Sequence, residues 1–172
     1  MRDNQRQKVY NWEWTLKDPK LKTKLTLQEC QELVDKVWYR YKPNAKRSPV
    51  VQSGRGRGVA YNDTRITLGV PARNPHYVLH EVAHCLTCYG DLETHGPEFV
   101  RVLCDLLDWY SGTNYAPSAR KAKVKVAAPD KVAKPIHLRQ SKIDEAFKAM
   151  MALTIQERSA VTKMVREKTK EL

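Results

Sequence analysis

Five residues, His80-Glu81-Val82-Ala83-His84, constrain this chain more than any other stretch. They lie in a segment from Tyr77 to Tyr89 that is apolar at Val78, Leu79, Val82, Ala83 and Leu86, which is helical spacing, and Gly90 stops it. A four-residue step puts His80 and His84 on one face, about one turn apart, so that both imidazoles can reach a single metal ion. Glu81 projects beside that ion, where it can accept a proton from a bound water.

Three of the five histidines fall between positions 80 and 95. His95 stands at the start of a further helix, in His95-Gly96-Pro97-Glu98-Phe99, which continues through Val100, Leu103, Leu106, Leu107 and Tyr110 and closes at Ser111-Gly112. A turn at Gly90 and a short return can bring His95 back over the His80/His84 face. Three neutral nitrogen ligands with one position left open is the arrangement of a catalytic zinc rather than a structural one. Glu93 and Glu98 are rival third ligands. Cys85 and Cys88 sit mid-helix with no further thiols beside them, and with Cys30 and Cys104 they read as small buried hydrophobes.

Elsewhere the pattern is mixed, giving an α+β reading. Residues 1–25 form a polar N-terminal arm. Thr26-Leu27-Gln28-Glu29 is a capping box opening a helix with Leu27, Cys30, Leu33, Val34, Val37, Trp38 and Tyr41 on its apolar positions, ended by Pro43 and Asn44. Val59-Ala60-Tyr61 and Arg65-Ile66-Thr67-Leu68 flank Asn62-Asp63-Thr64 as a hairpin. The principal domain is therefore residues 26–115. Residues 116–140, rich in Ala, Val, Lys and Pro, read as a basic linker or an ordered arm lying on another surface. Residues 141–172 carry a helical hairpin tail that has too little apolar surface to be secure alone and calls for a protein partner.

The chain of 172 residues has a net charge of +12, distributed as a basic front, an acidic middle and a basic end. Residues 74–115 hold one basic group, Arg101, against six acidic ones. Arg55 and Arg57 between glycines, and Lys121, Lys123 and Lys125 further on, are candidate phosphate contacts, so DNA is an expected partner. No apolar run is long enough for a transmembrane helix, so no membrane partner is expected. No apolar stretch follows the basic start, so the expectation is a cytoplasmic or nucleoid-associated protein, or one of the host cytoplasm or virion if phage-encoded.

The order of a helix, a Gly-Arg-Gly loop, a hairpin ending Arg65-Ile66-Thr67-Leu68, the His80-Glu81-x-x-His84 helix and then His95-Gly96-Pro97-Glu98-Phe99 resembles the SprT-like (Spartan-related) zinc metallopeptidase family over about residues 27–110. The resemblance implies a small zincin-like domain cleaving a protein substrate, with one Zn2+ per chain held by His80, His84 and His95, and Glu81 as catalytic base. It also implies that Ile66, Thr67 and Leu68 form the edge strand on which an extended substrate lies, and that proteolysis takes place near DNA. The chain departs from the family in the short stretch between His84 and His95, and in a basic helical extension where many members carry a zinc ribbon. The alternative is a non-catalytic protein that keeps the zincin fold as a structural or interaction component, for example of a phage virion or a nucleic-acid assembly. A metal-dependent hydrolase of a non-protein amide such as peptidoglycan is a further one.

Overall fold

The computed structural model describes residues 3–88 and 93–129, all within the unit Met1–Pro135. The tail helices expected over 141–172, and the linker beyond residue 129, lie outside the described residues. The fold is α+β: among the described residues, six α-helices surround a three-stranded sheet.

The first 25 residues are not a polar arm. They form helices α1 (Arg6–Trp14) and α2 (Pro19–Lys22), and Val9, Trp12, Leu16 and Leu21 are buried in the same core as the rest. Steps of three and four residues from Val9 to Trp12 to Leu16 give a narrow apolar stripe, enough to seat α1 although its other positions are polar. Helix α3 (Leu27–Tyr41) begins on the expected box: the Thr26 hydroxyl accepts from the Glu29 N–H at 3.1 Å, and the Glu29 carboxylate accepts from the Thr26 N–H at 2.7 Å.

The sheet contains the expected hairpin, β2 (Val59–Tyr61) and β3 (Arg65–Leu68), turned at Asn62 with φ 51°. It also contains β1 (Val50–Ser53), which pairs with β3 in parallel, Val51 opposite Ile66, while Ala60 of β2 faces Ile66 from the other side. The order is β1-β3-β2. Ile66, Thr67 and Leu68 are thus not an edge strand. Their backbone is paired on both sides, and Ile66 and Leu68 point into the core. The edges are β1 and β2, because Val50 and Val51 extend the hairpin by one strand. The loop from Gly54 to Gly58 presses back on the residue after β3. A Cβ on Gly69 would fall 2.1 Å from the Gly56 carbonyl oxygen, so that contact admits no side chain.

Helix α4 (Pro75–Thr87) starts two residues before the apolar pattern does, because Asn74 caps it through the Tyr77 N–H and Pro75 supplies a preset first turn. It is buried on nearly every side, packing against α3, α5, α2 and β2. Helix α5 (Pro97–Ser111) ends at Gly112, whose φ of 83° lets its N–H reach back to the Asp108 carbonyl. Residues 116–129 take the ordered-arm alternative. Helix α6 (Ala116–Lys121) and the segment after it bury Ala119, Val124 and Ala127, and the Ala127 N–H bonds to the Pro97 carbonyl at 2.9 Å. No helix among the described residues is long and apolar enough to cross a membrane.

Candidate metal centre

Helix α4 delivers His80 and His84 to one face, and the turn into α5 delivers His95 to the same point. One ring nitrogen from each lies within 4.8 Å of the others. Glu93 and Glu98 do not belong to this group; the Glu93 carboxylate accepts instead from the Asn4 backbone N–H. Phe99 closes the cluster from the α5 side, its ring centroid 4.3 Å from that of His84.

Two carboxylates fix which nitrogens face inward. Glu13, on α1, is 4% exposed, and its Oε1 lies 2.8 Å from His80 Nδ1 and 3.0 Å from His76 Nε2. Asp3 Oδ2 lies 2.6 Å from His95 Nδ1. An ionised carboxylate only accepts, so the Nδ1 atoms of His80 and His95 carry the hydrogens and their Nε2 atoms present lone pairs. His95 Nε2 is buried with no hydrogen-bond partner, and His80 Nε2 faces His84 Nε2 at 3.1 Å. Nitrogens bound at about 2.0–2.1 Å to one tetrahedral ion stand about 3.3 Å apart, so this pair already has the required spacing. An orphaned lone pair aimed at two others is a cost that a cation removes. His80, His84 and His95 can therefore hold a metal ion.

The electrostatics favour the neutral, metal-binding form at His84 and His95, whereas at His80 Glu13 favours a proton that a metal ion would displace. Burial alone would raise the Glu13 carboxyl, but His80 and His76 outweigh it and bring it down to about 2. Burial disfavours charge on His80, yet Glu13 overcomes this and raises it. Burial, and then repulsion from His80 and His95, push His84 down to about 2, and burial likewise lowers His95. Neutral imidazole is the form that binds metal.

Glu81 is 5% exposed and shares the cleft with His80 and His84. Burial raises its carboxyl, against an opposing pull from charged His80 and the neighbouring Ala60 backbone. The loop before β2 comes so close that a Cβ on Gly58 would lie 2.5 Å from Glu81 Oε1. A cleft of about 440 Å³ opens along β2 and is bordered by Arg6, Tyr10, Ala60, His84 and Thr94; a recess of about 70 Å³ lies on the Trp14, Arg57 and Tyr77 side. Ile66, Thr67 and Leu68 border neither space.

Family models, curated proteins and solved structures offer no match to this chain. The site is read from its own geometry.

The cysteines stay out of it. None of the four is in a disulfide, and burial pushes the Cys85 thiol up to about 12, the behaviour of a packing residue. Arg55, Arg57, Lys121, Lys123 and Lys125 are all exposed, with Arg57 at the rim of the smaller recess. Sequence reasoning missed Asp3, Arg6, Tyr10 and Glu13, all contributed by the supposed arm. The Val9, Trp12, Leu16 spacing was the available signal, since it turns Glu13 toward the core beside Trp12.

Glu13→Ala is expected to weaken metal binding by about 10–100-fold in a chelator competition, because His80 loses the acceptor that fixes its tautomer. Glu13→Gln, which keeps an acceptor oxygen without the charge, is expected to fall between the two.

Proposed function

We propose that the chain is a zinc-dependent metallopeptidase of SprT-like type, hydrolysing a protein substrate beside DNA. The observation that carries this reading is a group of three imidazole nitrogens, on His80, His84 and His95, of which His80 and His84 border one cleft with a buried carboxylate, Glu81, that is not among them. Three nitrogens leave a coordination position open. Zinc held there would polarise a carbonyl and lower the pKa of a water toward about 7.

The chain's own residues do the rest. Glu81 takes the proton of the attacking water and returns it to the departing amine; its burial makes it a stronger base than a solvated carboxylate. Glu13 and Asp3 hold two of the imidazoles in register. The outer edge of β2, where Val59 and Tyr61 are 46% and 43% exposed, offers backbone to an extended peptide entering the cleft. The exposed Arg55, Arg57, Lys121, Lys123 and Lys125 supply phosphate contacts of a sequence-independent kind.

The test is metal content with casein cleavage, in the wild type and His84→Ala, with and without DNA. The expected result is about one zinc per chain, cleavage lost on chelation, and neither zinc nor cleavage in His84→Ala. Immobilised duplex is expected to retain the protein at low salt and release it as salt rises. Zinc at one per chain with no cleavage under any condition favours the non-catalytic scaffold, and indifference to DNA at low salt removes the DNA partner.

A further inference from the structure

Arg6 and Tyr10 stand one turn apart on α1, and both border the cleft that holds His80, Glu81 and His84. The Tyr10 ring is stacked 5.8 Å from His80 and edge-on 5.1 Å from His95, measured between centroids. Among the described residues Tyr10 borders both the cleft and the smaller recess, together with Gly58, His80 and Glu81. The Arg6 guanidinium lies over the same ring, 5.5 Å from its centroid.

Peptide hydrolysis builds negative charge on the carbonyl oxygen while a base withdraws a proton from water. Glu81 cannot serve as base and as oxygen donor together, and the Nδ1 hydrogens of His80 and His95 are committed to Glu13 and Asp3. A phenol on a helix, with its ring packed against two imidazoles, is a donor whose position is fixed before the substrate arrives. Such preorganisation is what makes a donor effective in a desolvated site. A guanidinium lying over the ring is drawn to its π face and polarises the phenol while leaving the hydroxyl hydrogen free.

We infer that Tyr10 is a catalytic residue, donating a hydrogen bond to the carbonyl oxygen of the scissile peptide as charge develops there, and that Arg6 is a positioning residue that polarises it. No proton changes hands in this contact; the phenol stays protonated and its hydrogen bond shortens as the charge grows. The inference rests on the metallopeptidase reading above.

Tyr10→Phe removes the hydroxyl and keeps the ring against the imidazoles. With casein as substrate, kcat is expected to fall by about 10²–10³-fold with KM nearly unchanged, the loss typical of one oxyanion donor. Zinc affinity by chelator competition is expected to stay the same. Binding of a phosphinic peptide, a tetrahedral mimic, is expected to weaken by a similar factor in calorimetry. Arg6→Met is expected to lower kcat less than Tyr10→Phe and to add nothing in the double variant. Unchanged kcat and unchanged phosphinate binding in Tyr10→Phe would overturn the inference and leave the peptidase reading intact. A loss of zinc affinity beyond tenfold would overturn it too, by making Tyr10 a ligand or a support for one. Additive losses in the double variant would remove Arg6. A wild type that binds phosphinate without cutting casein leaves the decision to the phosphinate measurement. One that does neither removes the peptidase reading and this inference with it.

Discussion

Glu81→Gln is expected to lower casein cleavage by between about 10² and 10⁴-fold, the contribution of a positioned general base, while zinc content stays at the wild-type level. The two side chains have the same shape. No heavy atom is added, so the amide can keep the close approach to Gly58 with its oxygen on that side. What disappears is the capacity to take a proton. Glu81 is outside the group of three imidazoles, so its neutralisation removes no metal donor. It also removes a negative charge that favours the charged form of His80, although Glu13 is the dominant partner there. Zinc measured by elemental analysis and cleavage measured on the same preparation separate the two roles. A variant that loses zinc makes Glu81 a ligand; a variant with full activity takes it out of the chemistry.

Much of this site was legible because its parts are local. A capping box, a helical apolar period and a pair of histidines four residues apart are each decided within one or two turns, and α3, α4 and the β2–β3 hairpin follow them closely. The grouping of His95 with His80 and His84 was within reach because only a short return separates the helices that carry them. Two features failed for the same physical reason. The status of Ile66-Thr67-Leu68 depended on whether another strand would pair with it, and Val50-Val51, too short to show alternation, supplies that strand. The role of Glu13 depended on α1 bringing its carboxylate to His76 and His80 of α4, a contact between residues more than sixty positions apart. A buried carboxylate in a polar segment has the same letters as a solvated one. Only its partners distinguish them, and His76 and His80 are known to be its partners once the chain is folded. The basic residues are a third case: their exposure is what any solvated lysine shows, and it carries no partner of its own.

Trp12→Ala is expected to cost about 3–5 kcal/mol of stability, the range for emptying a buried aromatic site, read as a lower midpoint in urea at unchanged slope. Trp12 is 1% exposed, and its Nε1–H donates to Ser118 Oγ at 3.0 Å, which ties α1 to α6 across the core. A loosely held arm would give a different number: a surface substitution costs about 0.5 kcal/mol or less. Trp12→Phe separates packing from polarity. It refills most of the volume and forfeits the hydrogen bond, worth about 1 kcal/mol. The same residue bears on the metal centre because Glu13 follows it directly, and the next residues toward the N-terminus include Tyr10, Arg6 and Asp3. A ligand that binds only the folded state raises stability by RT ln(1 + [L]/Kd), so the gain on adding zinc measures the quality of the site. If α1 holds Glu13 against His80 and Asp3 against His95, that gain shrinks in Trp12→Ala as well as the baseline. If α1 contributes packing alone, the baseline drops and the zinc increment is the same as in the wild type. The two increments, taken from unfolding curves with and without the metal, therefore decide whether the N-terminal helix belongs to the core only or to the site as well.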